Sequence, residues 1–161
     1  MSKMSLRGMY TVTHIRGGKV INKFEAPNAI TDVGIEHIMD VSFHAEAATA
    51  TWYIGLIDND GFTALAVGDT SAVHAGWTEL EDYDEAARVA WTEGAAATRS
   101  ITNAVTCDFT MSATDAVNGI FLISVNTKGG GTGVLWSTAS FSSVVNVVDD
   151  DVLKITYTLT G

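Results

Sequence analysis

Four histidines are the residues of this sequence that could support metal binding or acid–base chemistry. They lie far apart, at His14, His37, His44 and His74. None has the H-x-H or H-E-x-x-H spacing of a zinc site, and Asp40 stands where a second histidine would have to accompany the pair Glu36-His37. The sequence therefore predicts no metal centre built on histidine.

The single cysteine, Cys107, is the candidate thiol nucleophile. Strand-like alternation places Val105, Cys107 and Phe109 on one face, which favours a small buried side chain over a nucleophile. One cysteine also excludes an intramolecular disulfide. The glycine-rich run 129–133 lacks the lysine and the helix of a phosphate-binding loop, so it is typical of a flexible hairpin loop.

Two acidic turns, 58–61 and 149–151, could attract a hard cation. The first begins like a calcium loop (Asp-Asn-Asp-Gly), but no glutamate follows at the required distance. Solvated turns explain both clusters more simply than calcium sites do. No catalytic group of residues emerges, and we expect neither an enzyme nor a bound cofactor.

Two tryptophans, Trp77 and Trp91, flank the acidic segment 79–85. Such a pair could anchor an interface or form a platform for a sugar. The alternative is that both rings hold a long loop against a sheet. Trp52 and Trp136 lie in strand patterns and are predicted to be core residues.

The composition favours assembly with other proteins. Only 17% of the residues are charged and 47% are hydrophobic, whereas about 25% charged residues is usual. A lightly charged surface rich in Thr, Ala and Gly suits burial between subunits, although a compact monomer with a neutral surface has the same composition.

Charge is divided unevenly along the chain. Residues 1–24 hold five bases and no acid (+5), and residues 25–161 hold the other four bases and all nineteen acids (−15). An acidic body disfavours nucleic acid as a partner. The basic segment could dock on a neighbouring copy or another acidic partner, or its bases could be ordinary solubilising side chains. The bases are Lys3, Arg7, Arg16, Lys19 and Lys23.

The local patterns predict a hairpin followed by one helix. Strands over 9–15 and 19–24 are joined by Gly17-Gly18, and Pro27 interrupts the strand pattern. Thr31 can cap a helix over about 31–43, where apolar residues recur at helical spacing. The Ala-rich segment 45–50 is predicted to be a loop.

The remainder predicts strands and a long irregular excursion over 62–85. In the last strand, residues 153, 155, 157 and 159 should face the core. These elements predict one domain over 1–161, a mainly β antiparallel sandwich of jelly-roll type, with 1–24 as a basic hairpin arm on an acidic body. No signal peptide or apolar stretch for a membrane span is found, so we expect a soluble, cytoplasmically made protein. The expected strands are 51–57, 88–92, 100–111, 119–125, 133–137, 144–148 and 152–159.

Several segments resemble a group of tailed-phage and prophage proteins. The most specific are Trp52-Tyr-Ile-Gly-Leu-Ile57 and His74-Ala-Gly-Trp77, and further similarity lies in 99–103, 118–122, 127–130, 135–139 and 153–157. The resemblance covers roughly residues 28–161. It carries no catalytic residues.

The resemblance implies a structural component of a virion. We expect a capsid decoration (cement) protein on the outer surface of the head, bound to the major capsid protein and to further copies of itself, with a trimer favoured. Arg7, Arg16, Lys19, Lys23, Trp77 and Trp91 are the candidate interface residues. The alternative within this class is a tail or fibre component that binds a host receptor or glycan.

Overall fold

The computed structural model describes residues 5–161 as two antiparallel sheets packed face to face, with one helix. The prediction of a mainly β sandwich is confirmed, and its jelly-roll subtype stays a prediction. The elements are β1 (Arg7–Arg16), β2 (Lys19–Pro27), β3 (Ala29–Ile30), α1 (Asp32–Phe43), β4 (Trp52–Asp58), β5 (Glu79–Leu80), β6 (Val89–Trp91), β7 (Ser100–Thr102), β8 (Cys107–Thr110), β9 (Asp115–Ile123), β10 (Leu135–Val147) and β11 (Val152–Thr160).

The first sheet is built around β1 and β11 in the order β2-β1-β11-β7, with β8 also paired to β11. Gly17 and Gly18 turn the β1–β2 hairpin with φ of 57° and 75°, a conformation that glycine adopts without a Cβ clash. In β11, Leu153, Ile155 and Tyr157 are buried, so the predicted alternation is confirmed.

The hairpin is part of this sheet and not a separable arm. β1 pairs with β11 from Arg7 opposite Thr160 to Ile15 opposite Val152. Alternate side chains of β1 point into the core, and Tyr10 and Val12 are fully buried. The interpretation of 1–24 as an arm that could be removed from a folded body is therefore wrong, because β1 supplies core side chains and a neighbour for β11.

The second sheet has the order β3-β10-β9-β4-β5, with β6 also paired to β4. The strands predicted over 133–137 and 144–148 are one long strand, β10, with an irregularity between Ser140 and Val145. The strand predicted over 100–111 is instead divided into β7 and β8. Asn103 ends β7, since its side chain accepts from the Tyr157 backbone N–H (2.7 Å) and donates to the Val105 carbonyl (2.9 Å).

The core between the sheets contains buried aromatic rings, and the polar atoms of Tyr10, Tyr157 and Trp136 are paired there. Tyr10 and Tyr157 lie 4.5 Å apart between ring centroids. The Tyr10 hydroxyl bonds Ser137 (3.0 Å), and the Trp136 Nε1–H donates to the Tyr157 hydroxyl (2.9 Å). Burial raises the pKa of both tyrosines. These bonds satisfy polar groups that would otherwise be costly to bury.

The helix α1 lies across one end of the second sheet, and its predicted position is confirmed. The Thr31 hydroxyl accepts from the Gly34 N–H (3.0 Å) and so caps the helix. Gly34 is buried against Trp136, where an added Cβ would lie 2.6 Å from the Trp136 carbonyl oxygen. Within α1, Gly34 and His37 are buried, and Val33 and Ile38 pack half-buried against the core, so the helix contacts the body along one side.

Candidate functional site

The outward side of the first sheet presents threonines from four strands, which we name the threonine face. Thr11 lies opposite Thr156, and Thr158 lies opposite Thr102, whose hydroxyl it meets at 2.8 Å. Lys154 faces the same way and is neutralised by Asp108 at 2.7 Å. Charges on this face come in offsetting pairs, since Glu25 and Lys23 lie opposite Thr11 and Thr13 on β2, whereas the protein as a whole has a net charge of −10. Its members are Thr11, Thr13, Thr102, Thr110, Thr156 and Thr158.

The threonine face ends at an edge strand with basic side chains. Lys19 and Lys23 are exposed on β2, which within residues 5–161 pairs only with β1. Between them, Val20 and Ile21 are also exposed (61% and 50%). Arg7 is exposed at the start of β1, and Lys3 lies outside the described residues. We name Lys19 and Lys23 the basic edge, because both are exposed on the same edge strand.

Arg16 is not a free interface cation. Its Nε and Nη2 donate to the two oxygens of Asp151 at 2.8 and 2.7 Å, and His14 Nε2 lies 2.7 Å from the same carboxylate. The Asp151 side chain is 1% exposed. Arg16, followed by His14 and the Val148 N–H, holds the pKa of Asp151 well below its usual range despite burial. This triad joins β1 to the β10–β11 turn, so Arg16 has a structural partner within its own chain.

Trp77 and Trp91 do not form an exposed aromatic platform. They are only 4% and 5% exposed, and the Nε1–H groups donate to Asp69 (3.0 Å) and Asn103 (2.7 Å). Both rings are too buried for the predicted interface role; Trp77 holds the irregular excursion against a sheet, whereas Trp91 is itself part of the strand β6. Trp77 packs on Phe121 at 5.2 Å, with His74 stacked on it at 4.0 Å.

The acidic segment 79–85 is attached by a buried ion pair that the sequence did not indicate. Arg88 donates to both oxygens of Glu79, at 2.9 and 2.6 Å, and also to the carbonyls of Val125 and Gly130. The two charged side chains are 3% and 6% exposed. The only local signal was a lone arginine after an acidic run. The pair fixes the excursion to the β9–β10 connection.

The residues that were candidates for chemistry are occupied with structural contacts. Cys107 is buried, as predicted, and burial raises the pKa of its thiol to about 12, which disfavours the nucleophilic thiolate. Asp58 accepts from the Asp60 N–H (2.8 Å) within its turn. Among residues 5–161, no three His, Cys, Asp or Glu side chains are placed to hold a metal ion.

The exposed side of α1 carries an apolar stripe that the sequence did not identify as a surface. Ile35, Met39 and Phe43 are 37%, 49% and 89% exposed. The sequence indicated only that they recur at helical spacing. They lie one turn apart, beside the acidic row Asp32, Glu36 and Asp40.

An aromatic cavity of about 330 Å³ lies beside α1, where the two sheets meet the segment 48–50. Its apolar lining includes Trp52, Trp91, Trp136 and Tyr157. His37 closes one side and holds the neighbouring segment through Glu46 and Thr49, both at 3.0 Å. The tryptophan pattern alone did not reveal this cavity, because its aromatic rings come from four separate strands and its boundary from a loop.

Comparison of the chain with protein-family models and with curated proteins found no match to either. Among residues 5–161 the single helix, α1, has 12 residues and is too short to cross a bilayer.

Proposed function

We propose that this chain is a structural protein of a tailed-phage virion, which decorates the capsid and stabilises it by bridging major capsid protein subunits. The proposal joins the resemblance in the sequence to the surface of the folded chain. The resembling segment Trp52–Ile57 forms the centre of β4, and His74–Trp77 packs on Phe121 of β9. The resemblance thus involves residues that build the second sheet.

The threonine face is the observation that carries the proposal. Binding removes water from both surfaces, and charged groups are the most expensive to desolvate. A protein of net charge −10 that makes one sheet face mostly threonine, with acidic and basic side chains in offsetting numbers, has a surface that another protein can cover at lower cost than its acidic surfaces. Threonine hydroxyls on paired strands also offer hydrogen bonds to a partner without a buried charge.

The basic edge favours one orientation of the chain on its partner. Lys19 and Lys23 lie beside the threonine face, whereas the chain beyond residue 24 is strongly acidic. A partner with an acidic rim is attracted to this edge and repelled elsewhere, which selects one docking direction. The unpaired side of β2 can also add main-chain hydrogen bonds to a strand of the partner.

Many weak contacts suffice on a symmetric shell. A patch of about 800 Å² corresponds to a gross transfer free energy of about 20 kcal/mol at ~25 cal/mol per Å², most of which is offset by the cost of association. A decoration protein that touches two capsid subunits resists their separation, and repetition over the shell multiplies the effect.

Electron cryomicroscopy of virions of a phage whose genome encodes the chain tests the proposal. We expect many copies on the outside of the head, with the threonine face against the major capsid protein. Heads without the chain should release DNA at lower temperature or milder osmotic shock. Absence of the chain from mature virions contradicts the proposal, and a few copies at the tail indicate the receptor- or glycan-binding alternative.

Matched variants test the surface. Thr156→Glu places a charge in the threonine face and should abolish binding to heads that lack the chain. Thr92→Glu adds the same charge at an exposed position outside that face and should bind normally. Lys19→Glu with Lys23→Glu should weaken binding, chiefly at low salt. Equal binding by the two threonine variants contradicts this assignment of the surface.

A further inference from the structure

The aromatic cavity beside α1 has a buried floor and an exposed rim. Trp91 and Trp136 are buried residues of its lining, whereas Ala48, Ala50 and Glu93 of the lining are exposed. Apolar cavities of about 150 Å³ admit a benzene molecule, and this one has a volume of about 330 Å³. The cavity therefore has room for a small organic molecule that enters from solvent.

The aromatic rings of the lining are inclined to one another. Trp52 and Trp136 lie 6.0 Å apart between ring centroids at 58°, and Trp91 and Tyr157 lie 5.3 Å apart at 70°. Rings at such angles border a space from several sides instead of stacking on one another. The face of an aromatic ring is electron-rich and attracts cations, and groups of such rings hold methylated ammonium ions in proteins.

The hydrogen-bonding groups of these rings are already engaged within the chain. The Trp91 Nε1–H donates to Asn103 (2.7 Å), and the Trp136 Nε1–H donates to the Tyr157 hydroxyl (2.9 Å). Both ring nitrogens of His37 lie 3.0 Å from other side chains. A ligand that depends on hydrogen bonds to these groups would have to break them. A quaternary ammonium ion has no N–H group and needs none of them.

The charge at the cavity also favours a cation. Glu93 is exposed, lines the cavity, and forms no ion pair with a basic residue among residues 5–161. A backbone bridge to Asn103 fixes its position. Glu46, bonded to His37, adds a second carboxylate nearby. The described lining contains no lysine or arginine, and the whole chain has a net charge of −10.

We propose that the aromatic cavity binds a small organic cation that carries a trimethylammonium group. The methyl groups contact the rings of Trp52, Trp91 and Trp136, and the Glu93 carboxylate balances the positive charge. A phosphate next to the ammonium would be repelled by Glu93 and Glu46. The cavity therefore suits a free cation better than the zwitterionic headgroup of a lipid.

A nuclear magnetic resonance titration of the full chain with choline tests the proposal. The indole N–H signals of Trp52, Trp91 and Trp136 should shift and saturate, whereas that of Trp77, which lies outside the cavity lining, should not move. Dimethylbutanol, the neutral alcohol in which carbon replaces the choline nitrogen, should bind at least about 10-fold more weakly, because it lacks the attraction of a cation to the rings and the carboxylate. Phosphocholine should also bind more weakly than choline.

Three results of this titration overturn the proposal. The first is the absence of saturable shifts with choline. The second is equal affinity for choline and dimethylbutanol, which indicates an apolar cavity without preference for charge. The third is phosphocholine binding at least as tightly as choline, which indicates a headgroup and not a free cation.

Matched variants test the charge. Glu93→Gln should weaken choline binding about fivefold and leave dimethylbutanol binding unchanged. Glu25→Gln removes the same charge at an exposed position on β2 and should bind choline normally. Equal affinities of these two variants for choline contradict the role given to Glu93.

A second pair of variants tests the place of binding. Ala48→Trp adds a ring at an exposed position of the rim and should prevent choline binding. Ala47→Trp adds the same ring at the preceding exposed position, which is outside the lining, and should bind choline normally. Unchanged binding by Ala48→Trp overturns the assignment of the cavity. The tests need no virion, so their outcome is independent of the proposed function.

Discussion

Both the strand β1 and the helix α1 carry regularly spaced apolar residues, but β1 buries its apolar side chains in the core and α1 exposes several of its own. Tyr10 and Val12 of β1 are fully buried, whereas Met39 and Phe43 of α1 are exposed. β1 lies between two strands and against the opposite sheet, while α1 packs through one side only, which includes Gly34, His37 and Ile38. Periodicity identifies an apolar face, and the surrounding elements decide whether that face meets the core or a partner.

Deletion of residues 1–24 should have the largest effect. It removes β1 and most of β2, leaves β11 without a neighbour along one side, and uncovers the inner face of Tyr157. We expect loss of cooperative thermal unfolding by far-ultraviolet circular dichroism. Lys19→Gln with Lys23→Gln keeps the strands, removes the charge of the basic edge, and should change stability by less than about 0.5 kcal/mol. A truncated chain that unfolds cooperatively contradicts the role given to β1.

Asp151→Asn should destabilise the chain by about 1–3 kcal/mol, because buried His14 and half-exposed Arg16 lose their carboxylate partner. The folded protein holds the pKa of Asp151 below its unfolded value, so the ionised carboxylate stabilises the fold. This contribution to the free energy of unfolding is fully present above about pH 4 and is lost as the pH falls through the lowered pKa. Urea unfolding between pH 7 and pH 2 measures both effects. Asp149→Asn, in the same turn but exposed, is the control. Equal losses in the two variants contradict a special role for Asp151.

Gly34→Ala should cost about 1–3 kcal/mol and loosen α1 from the sheet, since the new methyl group meets the Trp136 backbone. Hydrogen exchange in α1 should become faster while exchange in β11 stays slow. Gly68→Ala, which has no heavy atom within 4 Å of the added carbon, should be neutral or slightly stabilising. Unchanged exchange in α1 contradicts the view that Gly34 seats the helix.

Met39→Ala should have the smallest effect on the isolated chain, below about 0.5 kcal/mol, because its side chain is half exposed on the stripe. Phe109→Ala, in the core beside β11, should cost about 3–5 kcal/mol. Chemical unfolding at low protein concentration compares the free energies of unfolding of the two variants. A large loss in Met39→Ala indicates that α1 packs more tightly than its exposure suggests.

Much of the local structure followed from the sequence because it depends on neighbours in the chain. The hairpin required only Gly17-Gly18 between alternating strands, and α1 required only the Thr31 cap and helical spacing. The two failures among the strands have tertiary causes. The polar residues near Ser140 concealed the continuity of β10 with its partner β9, and Asn103 ends β7 through a bond to Tyr157.

The candidate sites were less predictable, because each depends on residues far apart in the chain. From the sequence Arg16 looks like a free interface cation, because its partner Asp151 lies 135 positions away and cannot be recognised before the chain folds. Trp91 likewise looks like an interface residue in the sequence, whereas in the structure it lines a cavity together with Trp52, Trp136 and Tyr157. By itself the sequence determined the β class, the hairpin, the helix and the charge difference between the first 24 residues and the rest, all of which depend on composition or short-range periodicity. Only the tertiary structure decided which charges are neutralised, which aromatic rings are buried and which apolar face is left open, because these depend on contacts that form when distant segments fold together.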